Sequence, residues 1–143
     1  MTENHIATST TSISATPTRV WSVLTDPEAI RQFMFGTEVE TSWQPGSRIV
    51  WRGTWQGSPY EDKGEILEFE PEHRMVMTHF SPLTGLPDEP ENYHTLTWTL
   101  TDDGDRTELT LEQDNNPSAE AADHSREMWD GLVATVKAIA EKE

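Results

Sequence analysis

The chain has 143 residues, 26 acidic against 10 basic, with a formal net charge of −16 and no cysteine. At this length roughly 68–70% of the unfolded chain's surface is buried on folding, which suits one domain spanning residues 1–143. The missing thiols exclude disulfides, thiolate catalysis and Cys-ligated zinc, and the negative charge sets nucleic acid and anionic membranes against it as partners.

In chain order, Ile6 to Ser14 is rich in Thr, Ser and Ile, as an opening strand requires. Thr16-Pro17 offers an N-cap with proline at the first helical position, for a helix carrying Val20, Trp21 and Leu24 inward. Asp26-Pro27-Glu28 repeats the device for a second short helix burying Ile30 and Phe33, with Glu28 at the positive end of its dipole. Turns at Gln44-Pro45-Gly46-Ser47, Gln56-Gly57-Ser58-Pro59 and Pro71-Glu72-His73-Arg74 then separate strands over Arg48 to Trp55, Tyr60 to Glu70 and Met75 to Ser81. Pro82 to Glu91 is a surface loop. Asn92 to Thr101 and Arg106 to Asp114 form a hairpin across Asp103-Gly104. Asn116-Pro117 opens the last element: Ser118 to Glu141 reads as one amphipathic helix, with Trp129, Leu132, Val136 and Ile139 at helical spacing and Met128 beside them. No apolar run approaches the ~20 residues of a membrane span, and Met1-Thr2-Glu3-Asn4-His5 lacks the basic and apolar regions of a signal peptide. The expectation is a cytoplasmic protein.

Strand alternation separates two faces. Thr95, Thr97, Thr99, Glu108, Thr110 and Glu112 share a polar face. Leu96, Trp98, Leu100, Leu109 and Leu111 share the other, with Ile49, Trp51, Met75 and Met77 in the same inner set. Ile66-Leu67-Glu68-Phe69 is apolar on both parities; a bulge there would decide whether Glu68 or Phe69 turns inward.

Ala15-Thr16-Pro17-Thr18-Arg19-Val20-Trp21 followed by Leu24-Thr25-Asp26-Pro27-Glu28-Ala29-Ile30 resembles the opening of the START-like (polyketide cyclase/birch-pollen-allergen) superfamily. Within it the chain is most similar to bacterial homologues of the activator of heat-shock protein 90 ATPase. Gln44 to Ser47, Tyr60 to Glu68 and the Trp129-to-Ile139 helix extend the likeness over nearly the whole chain. The resemblance implies an α+β helix-grip fold: a seven-stranded curved antiparallel sheet around a long C-terminal helix, with two short helices after the first strand. It also implies a cavity between sheet and helix, in a superfamily of lipid and hormone carriers, aromatase/cyclases and co-chaperone domains. Several bacterial relatives resemble the co-chaperone only in its C-terminal domain, and the expectation of a single domain without a preceding one means that strong stimulation of the chaperone ATPase is not expected.

Pairing Met75 to Ser81 with Asn92 to Trp98 sets His79 opposite or diagonal to His94, and the Asp103-Gly104 turn sets His94 near Gln113. That gives a polar row above an apolar floor of Met77, Leu96 and Leu111, the composition of a small-molecule pocket. Each imidazole satisfied by a neighbour is the competing reading. Trp51, Trp55, Trp98, Met75 and Met128 complete the candidate ligand-binding set, with core packing the alternative for each tryptophan. Tyr60 or Asp62 faces the pocket mouth on a functional reading. On a structural one, Lys63 pairs with an acid on the polar face and Gly64 relieves crowding opposite Trp51. No metal site is expected: the five His show no close ligand spacing, and no carboxylate is evident in the row. No G-x-S-x-G occurs, no catalytic residue is assigned and no cofactor is implied. The expected role is binding of a small, mostly apolar or amphipathic ligand. The alternatives are a co-chaperone-like module with a chaperone partner, or a cyclase- or hydrolase-type enzyme using His79 and His94, since free imidazole titrates near neutrality.

Overall fold

Each helix begins on a cap that the sequence supplies. In this computed structural model, which describes residues 5–34, 36–55, 57–82 and 85–142 (Trp55 by its backbone alone), α1 is Pro17–Thr25, α2 is Pro27–Phe33 and α3 is Ala119–Ala140. Thr16 Oγ1 accepts from Arg19 N at 3.2 Å and Asp26 Oδ1 from Glu28 N at 3.1 Å, satisfying amides that have no intrahelical partner. The cap of α3 is Ser118, whose Oγ accepts from Ala121 N at 3.1 Å, not the Asn116-Pro117 pair. Asn116 stays in the preceding strand, buried, where its side-chain amide donates to the carbonyls of His5 and Gln113. Among the described residues no helix is long and apolar enough to cross a membrane.

The strands are β1 (His5–Ile13), β2 (Glu38–Thr41), β3 (Arg48–Trp55), β4 (Ser58–Glu70), β5 (Arg74–His79), β6 (His94–Asp103) and β7 (Arg106–Asn116). They form one antiparallel sheet in the order β1-β7-β6-β5-β4-β3-β2, so the first strand and the second lie at opposite edges. Helices α1 and α2 make that crossing, and α3 returns along the inner face against β1 and β7. This is the helix-grip arrangement that the resemblance implied. Residue patterning alone left out β2, because four residues, Glu-Val-Glu-Thr, are too short to show alternation.

The ambiguous Ile66–Phe69 segment is resolved by a register shift between Ile66 and Glu68, which leaves Leu67 extra in β4. Ile66 is fully buried and Phe69 turns to the core, 5.2 Å from the Trp21 ring and 6.1 Å from that of Trp43. Glu68 is exposed.

Arg19 of α1 reaches the far end of α3, donating from Nη2 to Ile139 O at 3.2 Å and from Nε to Ala140 O at 3.4 Å. A guanidinium there both satisfies terminal carbonyls and opposes the negative end of the helix dipole. At the same end Glu141 accepts from Ser14 N at 2.8 Å and from Lys137 Nζ at 2.5 Å. The Lys137 ammonium, followed by the Ser14 amide, holds the Glu141 carboxyl below its ordinary value. The grip of sheet on helix is thereby fixed at one end by polar clamps and along its length by Trp129, Leu132, Val133 and Val136, all buried.

Candidate functional site

Hairpin register fixes the inner surface of the central strands. Trp51 of β3 stands opposite Asp62 of β4, and His79 of β5 opposite His94 of β6. Strand alternation puts all four on the inner face, together with Tyr60, Met75, Met77, Leu96 and Trp98. β4 and β5 approach unusually closely at Gly64: a Cβ built there would lie 1.8 Å from Thr78 O. The glycine thus serves the β5 backbone, not Trp51, and the close approach brings Asp62 to His79.

Asp62 Oδ2 and His79 Nε2 are 2.8 Å apart, with side chains 14% and 18% exposed. The second oxygen of Asp62 and the Nδ1 of His79 are buried, and neither has a protein hydrogen-bond partner. That is unusual, since most buried polar atoms find a partner. The Trp51 ring meets the His79 ring edge-on at 5.0 Å, and His94 stacks on His79 at 6.4 Å and 27°. His94 Nδ1 lies 2.8 Å from the Asp114 carbonyl oxygen. Two strand positions from Asp62, the Tyr60 hydroxyl is 2.7 Å from Thr37 Oγ1, which itself donates to Met34 O at 2.8 Å. That chain ties the end of α2 to β4.

Beside this cluster lies a cavity of about 30 Å³, bordered by Phe33 of α2 and Met34 just after it, by Trp43, and by Trp51, Met75, Met77 and Trp98 of the sheet. Its size is that of about one water molecule. Trp51 forms a wall of the cavity on one side and of the imidazole cluster on the other.

The sequence-derived residues fall into distinct places. Trp51, Met75, Met77 and Trp98 border the cavity, while His79 and His94 belong to the polar cluster. Leu96 and Leu111 are buried in the floor. Gln113 stands opposite Leu96, one step from the imidazoles, and its Oε1 accepts from Trp129 Nε1 at 3.3 Å, so its polarity serves the sheet–helix contact. Met128 is 53% exposed, displaced from the buried stripe of α3 by its position in the helical turn. The side chain of Trp55 lies outside the described residues. Asp62 is the carboxylate that the row lacked on sequence; the β3–β4 turn and strand parity were the signal for it. Among the described residues no group of three His, Asp or Glu is arranged to hold a metal ion.

Larger concavities occur on the opposite, outer face. One of about 700 Å³ runs between Arg48, Lys63, Thr78, Asp88 and Tyr93. Its charges are internally matched: Lys63 pairs with Asp88, which also accepts from the Tyr93 hydroxyl at 2.6 Å. The hydrogen bond to Asp88, then burial, pushes the Tyr93 phenol up to about 12. Lys63, then Tyr93, holds the Asp88 carboxyl below its ordinary value. Size favours the outer groove. The inner cluster, with unpartnered atoms beside an apolar cavity, carries the stronger chemical signal for a ligand.

A sequence model for a family described as activator of Hsp90 ATPase homolog 1-like protein matches residues 14–141. Among solved structures, protein ChR145 from Cytophaga hutchinsonii is 44% identical, with a TM-score of 0.86 over 99% of this chain and 96% of that one. The Aha1 dimer from Colwellia psychrerythraea gives 14% identity and a TM-score of 0.73 over 96% of each chain. CalU16 from Micromonospora echinospora gives 20% and 0.69 over 98% of this chain and 86% of that one, a likeness of fold alone. No curated protein sequence matches.

Proposed function

The chain belongs to the activator of Hsp90 ATPase homolog 1-like family, and from that premise we propose that it binds a small amphipathic molecule between the inner sheet face and the helices. The polar end of the ligand sits at Asp62, His79 and His94; its apolar body lies along Trp51, Met75, Met77 and Trp98. One observation carries the reading: two buried polar atoms without protein partners belong to a cluster that shares Trp51 with a cavity whose walls include aromatic and methionine side chains. Methionine has three rotatable bonds and reshapes readily around a guest. The remaining wall, α2, has only seven residues and depends on tertiary contacts for its helicity. Expansion of the small cavity therefore proceeds by methionine rotation and displacement of α2.

The tightness of that cavity favours a second reading, an interaction module whose surface engages a chaperone. A thermal-shift screen over amphipathic compounds separates the two. A ligand at 100 times its dissociation constant stabilises the native state by ~2.7 kcal/mol, which for a chain of this length raises the midpoint by roughly 5–15 °C. Tryptophan-fluorescence titration of a hit should respond, and Trp98→Leu should diminish that response in a folded protein. No shift with any compound, together with a clear rise in Hsp90 ATP turnover on adding the protein, would replace the first reading by the second.

A further inference from the structure

We infer that the site selects a ligand by a cationic, hydrogen-bond-donating head group, an organic ammonium on a flat apolar body; this rests on the binding reading above. The tautomers follow from the partners. Asp62 as a carboxylate can only accept, so the proton of the shared bond sits on His79 Nε2, and in the neutral form of the ring His79 Nδ1 is left with a lone pair. His94 Nδ1 faces a backbone carbonyl, which also only accepts, so that nitrogen carries the proton and Nε2 is left with a lone pair. Asp62 Oδ1 is a third acceptor. With both imidazoles in the neutral form, the free capacity of the cluster is entirely accepting, and a carboxylate or phosphate head finds no donor from it.

Charge points the same way. Arg48, Arg52 and Lys63 stand on the outer-face positions of β3 and β4, and among the described ion pairs Asp62 has only the imidazole of His79. A carboxylate 14% exposed with no lysine or arginine among its described ion pairs has room for a cation brought from outside. Trp51, 5.0 Å from the His79 ring, adds an aromatic wall for the flat apolar body beside the head group. The net charge of −16 raises the local concentration of any cation, but it does so over the whole surface and selects no site.

The test compares three probes that share one apolar body: phenylpropylamine, phenylpropanol and phenylpropanoate. Each is titrated calorimetrically at neutral pH into the wild type, Asp62→Asn and, as an outer-face charge control, Asp88→Asn. We expect the amine to bind at least about tenfold more tightly than the alcohol, with the carboxylate weakest. Asp62→Asn should compress the amine-to-alcohol ratio to within about threefold, and Asp88→Asn should leave it unchanged. Histidine-selective NMR of the wild type gives an independent readout: the amine should shift the His79 and His94 ring signals before those of the other histidines. A carboxylate that binds as well as the amine, or an amine that leaves both ring signals in place while binding, overturns the inference and spares the binding reading. An Asp62→Asn protein that keeps the full amine preference does the same. Should none of the three bind or move a signal, both fall together.

Discussion

Under α3 the inner face carries Ile13, Leu109 and Leu111 with no exposed surface, whereas beyond α3 the same face carries Asp62 and His79, with a cavity under α2. Both regions are built on the same antiparallel alternation, so the sheet does not account for the difference. The cover does. A 22-residue helix with a continuous apolar stripe can fill one side of a curved sheet to crystal-like density; a seven-residue helix cannot. Where cover is short, polar groups with spare hydrogen-bonding capacity persist, and this is where local rules are expected to break for the sake of function.

The largest effect expected from this contrast is on stability. Leu109→Ala, in the filled half, should cost about 2–5 kcal/mol in denaturant titrations, since the surroundings cannot collapse onto the hole. Met77→Ala, beside the cavity, should fall at the low end of that range because α2 can settle inward. Equal losses at the two positions would remove the distinction between a rigid and a yielding half.

Gly64→Ala comes next. The added carbon would overlap Thr78 O, a backbone atom that cannot rotate away, so β4 and β5 must separate. The expected cost is about 1–3 kcal/mol, with loss of the Asp62–His79 contact as its signature. Histidine NMR should show His79 freed from its carboxylate partner. A variant that keeps both stability and that contact would mean that the close approach is not what assembles the dyad.

A subtler comparison uses the dyad itself. Asp62→Leu strands His79 Nε2 in a partly buried place and should destabilise by about 1–3 kcal/mol. Replacing both members, as Asp62→Leu with His79→Phe, removes the polar groups together and should recover most of that loss. If the double variant is no better than the single one, the pair supports the fold and its spare atoms lose their functional meaning.

The inner and outer faces were legible from alternation, and the hairpin at Asp103-Gly104 carried the β6–β7 register, because a period of two is strong over ten-residue strands. What escaped was short or non-local. β2 is too brief for periodicity, and the N-cap of α3 shifted to Ser118 because Asn116 found better partners in the sheet. The Asp62–His79 contact depends on a diagonal across two strands drawn together at Gly64. Turn counting yields the neighbours of each residue but not that closeness. Gln113 was visible as an inner-face polar group. Its engagement by Trp129, sixteen residues away on α3, depended on how the helix is laid down.

The smallest effect lies on the outer face and serves as its control. Tyr93 donates to Asp88 at 2.6 Å, and its phenol is raised from an ordinary 10.0 to about 12, first by that bond and then by burial. A folded-state value above the unfolded one means that the contribution is complete below pH 10.0 and is lost as pH rises through about 12. Asp88 runs in the opposite sense. Its carboxyl is held below the ordinary 3.8 by Lys63 and then Tyr93, so its contribution is present above that value and is lost as pH falls through the lower, folded one. Denaturant midpoints measured against pH should therefore decline at both extremes. Tyr93→Phe should flatten the alkaline arm selectively, while binding of a ligand at the inner face at neutral pH stays unchanged. An alkaline arm that persists in Tyr93→Phe would place its origin elsewhere. A change in inner-face binding would show instead that the loop over the outer groove and the cavity under α2 are coupled through β4, and the two faces of the sheet would no longer be independent.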